Sequence, residues 1–146
     1  MSYIKTTSII LVLSMLISVI LTYASLISIV SSTKLNIERV LKSFVTHNSS
    51  YIYDSIRDGT DFTSLLDSDY FVFMFDEDHT LVMENGYLYN LDESGEYVFR
   101  LTIPQITFDT KNTLNLICNT TMEIPVYFAG EKITDLKIPL KVKTSY

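Results

Sequence analysis

The sequence predicts an α+β fold: a long N-terminal helix, half transmembrane and half amphipathic, packed on a small antiparallel β-sheet domain. Three observations carry this. An uncharged apolar run, SIILVLSMLISVILTYASLISIV, extends from Ser8 to Val30. A helical period follows it, with no Pro or Gly before Gly59. Beyond Gly59, short β-rich runs alternate with turn residues. The chain then divides into a tail at 1–7, a transmembrane helix at 8–30, an amphipathic helix at 31–58 and an antiparallel β domain at 59–146.

The apolar run is about 23 residues, roughly 34 Å as a helix, which is enough to cross the hydrocarbon core of a bilayer. A cleaved secretory signal is the rival reading, with Thr22-Tyr23-Ala24 as a weak cleavage site. Apolar character continues past it through Leu26, Ile27, Ile29 and Val30, which favours an uncleaved span. Ser14, Ser18, Thr22 and Ser25 recur at helical spacing and share one face. Small side chains let helices approach closely in lipid, and hydroxyls can bond across the contact. These four are the candidate helix–helix packing residues; scattered Ser and Thr without a role are the alternative.

Past the span, Ile37, Val40, Leu41 and Phe44, then Tyr51, Ile52 and Ile56, keep a helical period. Between them Thr46-His47-Asn48-Ser49-Ser50 is polar and weakly helix-forming, so a kink or fray is expected there. Gly59 after Arg57-Asp58 is a C-cap signal. The simplest reading is one helix from about residue 6 to about residue 57, roughly 75 Å long, greasy all round in its first half and amphipathic in its second.

Asp61 to Leu66 reads as a short capped helical turn. Strands are expected at Tyr70 to Phe75, Thr80 to Glu84, Tyr87 to Leu91, Tyr97 to Ile103, Thr113 to Cys118, Met122 to Phe128 and Lys132 to Lys143. Asn85-Gly86 is a tight-hairpin signal, and Ser94-Gly95 and Ala129-Gly130-Glu131 mark further turns. Met122, Ile124, Val126 and Phe128 alternate with Glu123, Pro125 and Tyr127. Leu136, Ile138, Leu140 and Val142 alternate with Lys137, Pro139, Lys141 and Lys143. Each pattern predicts one face on a core and one in water. Pro104, Pro125 and Pro139 predict interrupted edges, because proline removes a ladder donor.

Charge is unevenly placed. Residues 54–96 hold twelve acids against Arg57 alone, whereas residues 131–146 hold Lys132, Lys137, Lys141 and Lys143 against Glu131 and Asp135. An acidic middle argues against nucleic-acid binding, which needs a concentrated positive footprint. A solvated acidic surface is the plain reading. Attraction between acidic and basic faces of neighbouring copies is the sharper one. Cys118 is the only cysteine, so no intramolecular disulfide forms, and its strand-like setting predicts a buried thiol.

No catalytic motif stands out. His47 and His79 are the only histidines, and no GxSxG, HExxH, P-loop or GxGxxG pattern occurs. The turn FDEDHT holds carboxylates without the spacing or turn Gly of a calcium loop. Asn48-Ser49-Ser50 and Asn119-Thr120-Thr121 match a glycosylation acceptor pattern that is common by chance. The expectation is a non-enzymatic protein with no catalytic, cofactor-binding or metal site.

The order of a short tail, a membrane half-helix, an amphipathic half-helix and a C-terminal β domain resembles type IV pilin-like proteins. The ending MEIPVYFAGEKITDLKIPLKVKTSY resembles that of TadE/TadF-like minor pilins of Gram-positive bacteria. The resemblance covers the long helix and roughly the last 30 residues and is architectural more than motif-based. It implies a minor pilin or pseudopilin of a Tad-like filament or secretion apparatus, single-pass in the cell membrane with its β domain outside. The implied partners are other pilin-like subunits and assembly-platform proteins. Pilins commonly carry a processing-site Gly and a Glu early in the helix; here no Gly precedes Gly59 and no acid precedes Glu38. The stripe of Ser14, Ser18, Thr22 and Ser25 would then supply subunit register.

Lys34, Arg39 and Lys42 after the span outnumber Lys5 before it, so the positive-inside rule leans the opposite way, toward a cytoplasmic C-terminal domain. Two rival functions follow from the same residues. One is a single-pass sensor or ligand-binding protein, with some of its ten tyrosines lining a site. The other is a secreted β protein cut after Ala24.

Overall fold

The computed structural model describes residues 2–60, 68–77, 81–109, 115–128 and 130–145. The chain divides into two compact units, Met1–Leu35 and Asn36–Tyr146. Helix α1 runs from Ser2 to His47, supplying every described residue of the first unit and the opening turns of the second.

In the first unit, every large apolar side chain from Ile9 to Tyr23 is at least 50% exposed, on all sides of the helix. Nothing in a water-soluble fold stabilises such a surface at about 25 cal/mol per Å². Lipid does, and the helix is long and apolar enough to cross a membrane.

The second unit begins with the rest of α1, which buries Ile37, Val40, Leu41, Phe44 and Val45. The expected kink or fray falls at Asn48, the single turn residue between two helical runs. At Asn48 (φ −95°, ψ 8°) both the backbone N–H and the side-chain amide donate to the Phe44 carbonyl, at 3.1 and 2.9 Å. The side chain thereby competes for a helical acceptor, as Asn does at helix ends. Helix α2, Ser49–Asp58, follows at once, its Ile52 N–H donating to the Asn48 carbonyl at 3.0 Å. It buries Ile52 and Ser55, and leaves Tyr51 63% and Ile56 57% exposed, against the expectation of one apolar stripe through all three.

Gly59 closes α2 in the left-handed region (φ 67°). Its N–H donates to Ile56 and that of Thr60 to Ser55, the paired bonds of a Schellman end.

The strand expected at Tyr70 to Phe75 is a helix, α3, Ser68–Glu77. A short continuous apolar run fits a buried helix as well as a buried strand. Packing decides. Phe71, Val72 and Phe75 are buried while Phe73 is 55% exposed, a helical face and not an alternation. Phe71 meets Phe44 edge-on at 5.6 Å and Phe75 edge-on at 5.2 Å, both favoured aromatic geometries. The expected helical turn at Asp61 to Leu66 lies outside the described residues, as do Asp78 and His79 of the expected acidic turn, whose Asp76 and Glu77 instead end α3.

Six antiparallel strands form one sheet: β1 Val82–Glu84, β2 Tyr87–Leu91, β3 Tyr97–Thr102, β4 Gln105–Asp109, β5 Asn115–Phe128 and β6 Glu131–Ser145. Asn85 (φ 49°) and Gly86 (φ 79°) both take positive φ in the β1–β2 turn, as a tight hairpin of this kind requires. The order is β1-β2-β3-β5-β4, with β6 along the other side of β5.

The two strands expected at Thr113 to Cys118 and Met122 to Phe128 are one, because Asn119-Thr120-Thr121 keeps the alternation and Thr120 points into the core. Strand β4 was not expected. It and β3 share one side of β5, pairing Asn115–Asn119 and Met122–Glu123 respectively.

Pro104 lies between β3 and β4, where the ladder breaks. Two threonines mend the gap. The Thr120 hydroxyl donates to the Thr102 carbonyl at 2.7 Å, and the Thr102 hydroxyl accepts the Thr121 N–H at 2.9 Å. The inner face buries Leu88, Leu101, Leu116, Cys118, Met122, Leu140 and Val142. These share the core of the second unit with Phe44, Phe71 and Phe75.

Candidate functional site

Ser14, Ser18, Thr22 and Ser25 are all exposed on α1. Two of their hydroxyls are already satisfied within the helix: Ser14 donates to the Leu11 carbonyl at 2.8 Å and Thr22 to the Ser18 carbonyl at 2.9 Å. Back-bonding of this kind lets a hydroxyl sit in hydrocarbon without a partner helix. What the stripe retains for association is its small size, which permits close backbone approach.

The outer face of the sheet holds the second candidate. Cross-strand register puts Val82, Tyr89, Arg100, Glu123 and Lys137 in one row through β1, β2, β3, β5 and β6. Glu123, expected to face water, is 3% exposed. Arg100 covers it from one side, with Nη2 at 2.6 Å and Nε at 2.7 Å from Oε2. Lys137 reaches Oε1 from the other side at 3.2 Å. Burial alone would raise the Glu123 pKa; the hydrogen bonds from Arg100 and Lys137 overcome it and hold the carboxyl below its ordinary value.

One row further along, Lys132 Nζ lies 2.8 Å from Asp135 Oδ1 and also donates to the Tyr97 hydroxyl. Tyr97 donates in turn to Asp135 at 3.1 Å. The bond from Lys132 lowers the Asp135 pKa, and the bond to Asp135 raises that of Lys132. The network therefore holds its carboxylates ionised and its amine protonated around neutrality.

Aromatic rings wall this network. The Arg100 guanidinium stacks over Tyr87, 4.4 Å from the ring centre, and Tyr89 meets Tyr97 edge-on at 5.6 Å. Beside them lies an open hollow of about 420 Å³ lined by Glu84, Tyr89, Glu96, Tyr97 and Tyr127, among others. The hairpin between β2 and β3 forms its rim. There the Asp92 carboxylate accepts the Ser94 hydroxyl at 2.6 Å and the Ser94 and Glu96 N–H groups at 2.8 and 3.0 Å. The Ser94 side chain leads the group of bonds that lower the Asp92 pKa.

Sequence reasoning missed this face, because Glu123 sits at an outward position of a regular alternation. The available signal was Arg100, the only charged residue between Glu96 and Asp109, with no charged neighbour in sequence to explain it.

His47 stacks on Tyr70, with ring centres 5.0 Å apart, and stands apart from this network in sequence and partners. Cys118 is fully buried, and burial pushes its thiol up to about 12. Among the described residues, no group of three His, Cys, Asp or Glu is arranged to hold a metal ion.

The fold and these surfaces define an α+β protein with one N-terminal helix fit to cross a membrane. No family model matches the chain, and neither a curated protein nor a solved structure is similar to it.

Proposed function

We propose that the chain is a minor pilin or pseudopilin subunit of a Tad-like type IV filament or secretion apparatus. In this reading residues 8–30 anchor it in the cell membrane and the β domain stands outside. The observation that carries the reading is a single α-helix that is apolar and exposed on every side from Ile9 to Tyr23, then enters the core of an α+β unit from Ile37 onward. An anchor alone needs only the first property. A subunit that leaves the bilayer for an assembly needs a surface that suits lipid before and neighbouring helices after. The self-bonded hydroxyls of Ser14 and Thr22 meet both conditions, since they leave small contact residues with no unsatisfied donor in either setting.

Two measurements on the full chain test this. Glu93→Cys places a thiol in the exposed β2–β3 hairpin, and intact cells are treated with a membrane-impermeant maleimide. Ser14→Cys and Ser18→Cys report helix contacts by oxidative cross-linking in membranes. Labelling in intact cells, with ladders of cross-linked species, is the expected result. Labelling only after lysis places the domain in the cytoplasm, as the charge count favours, and overturns the reading. A monomer or a single dimer band in the second experiment points instead to a single-pass receptor.

A further inference from the structure

We infer that the outer-face hollow walled by Tyr89, Tyr97 and Tyr127 and charged by Glu84 and Glu96 binds a trimethylammonium group of the choline type. The site does not depend on what α1 assembles with.

The rings on this face hold cations wherever the chain supplies one. Arg100 lies over Tyr87 at 4.4 Å and over Tyr97 at 5.7 Å, and Lys132 lies 5.0 Å from the Tyr97 centre. Each of these cations has its own carboxylate, Glu123 for Arg100 and Asp135 for Lys132. Neither lines the hollow, whose charged lining is Glu84 and Glu96 alone among the described residues. Both glutamates are exposed and enter no ion pair among the described residues. Tyr127 is 51% exposed, and its ring meets no other ring and no cation among the described residues. The hollow thus offers two surplus negative charges beside an open ring face.

The apolar part of the lining selects the cation. Val82 on β1 and Leu91 on β2 are 49% and 44% exposed and line the same hollow as the rings. A primary ammonium is strongly hydrated; it gains nothing from such groups and gives up water to reach them. A trimethylammonium group carries its charge beneath an apolar surface. Its methyls pack on aliphatic and aromatic walls while the carboxylates balance the charge. The hollow, about 420 Å³, takes such a group with room for the molecule that bears it.

The walls are set before a ligand arrives. Tyr97 is held through its hydroxyl by Asp135 and Lys132 and meets Tyr89 edge-on. Asp92 fixes the Glu96 backbone from both sides: its carboxylate accepts the Glu96 N–H at 3.0 Å, and its own N–H donates to the Glu96 carbonyl at 2.8 Å. A site built this way loses little freedom on binding.

The test uses the full chain in a maltoside detergent, which carries no ammonium, and follows the methyl protons of added choline by saturation-transfer NMR. Choline should bind saturably, and ethanolamine, the same molecule without the methyls, about threefold more weakly. Tyr127→Ala should weaken choline about threefold and Tyr127→Phe should not, because the ring and not the hydroxyl makes the contact. Glu84→Gln with Glu96→Gln should weaken it about fivefold, the size that exposed charge pairs support. All three positions are exposed, so unfolding midpoints should match that of the parent chain. Nanodiscs separate two sources of the group. Choline binding lost in phosphatidylcholine discs but kept in phosphatidylglycerol discs identifies a lipid headgroup as the ligand. Equal binding in both identifies choline carried by a soluble or surface-linked molecule. Choline that fails to saturate, binds no better than ethanolamine, or ignores the variants overturns the inference. Cross-linking of Ser14→Cys is untouched by any of these outcomes and tests the membrane-helix assembly separately.

Discussion

Arg100 and Glu123 face each other across β3 and β5 with 2.6 Å between guanidinium and carboxylate, and 4% of the Glu123 side chain reaches solvent. A carboxylate so buried is tolerated only because every direction of approach is cationic or hydrogen-bonded. The pair therefore matters more when it is broken than when it is intact.

Removing Glu123 alone leaves Arg100 and Lys137 without their shared anion. Glu123→Ala should cost about 3 kcal/mol and Glu123→Gln about 2 kcal/mol. Replacing both partners, Arg100→Met with Glu123→Leu, should recover most of that loss, because the desolvation cost disappears along with the attraction. Urea unfolding of the detergent-solubilised chain, followed by tyrosine fluorescence, measures all three. A double variant less stable than either single one would refute the argument.

The same groups set an acid limit. Glu123, Asp135 and Asp92 all have folded pKa values below their ordinary 4.5, 3.8 and 3.8. Each favours the folded state above its ordinary value, and that contribution is lost as pH falls through the folded one. Stability should be flat between about pH 7 and pH 5 and then decline progressively below about pH 4.5. Unfolding midpoints taken across that range check the slope, and Glu123→Gln should flatten it.

Helix α3 makes a prediction that a strand would not. In a strand, Phe71 and Phe73 would point the same way and cost alike. In α3 Phe71 is fully buried and Phe73 is 55% exposed. Phe71→Ala should cost about 4 kcal/mol, whereas Phe73→Ala should stay within about 0.5 kcal/mol. Equal losses would restore the strand.

Cys118 should be chemically silent. A thiol pushed up to about 12 and fully buried offers no thiolate at neutral pH and no path to one. Maleimide should leave the folded chain unmodified and label it once on unfolding, as read by intact mass. Modification at the folded stage would mean that β5 opens.

Local chemistry was legible where it decides structure without help. Asn85-Gly86 and Gly59 needed only the cost of positive φ in other residues, and both are where that cost put them. Ile37, Val40, Leu41 and Phe44 needed only a helical period. What stayed hidden depended on partners far away in the chain. Tyr70 to Phe75 is helical because Phe71 finds Phe44. Glu123 is buried because Arg100, 23 residues earlier, and Lys137 on the next strand converge on it. Strand β4 was within reach, since Ile106 and Phe108 alternate with Gln105 and Thr107, but five residues after a proline give a faint signal. The stripe of Ser14, Ser18, Thr22 and Ser25 was visible from spacing; that Ser14 and Thr22 bond to their own helix was not.

Strand β5 has β3 and β4 on one flank and β6 on the other, and β6 is the last of the described elements to leave the ribosome. Helix α1 is made before any strand, so the sheet is completed last. Until the final fifteen-residue strand arrives, β5 has one bare edge and Glu123 lacks one of its two cations. The nascent domain is therefore most exposed to mispairing in the interval between synthesis of β5 and of β6. Slowing translation before β6 would lengthen that interval, while slowing it afterwards would change nothing.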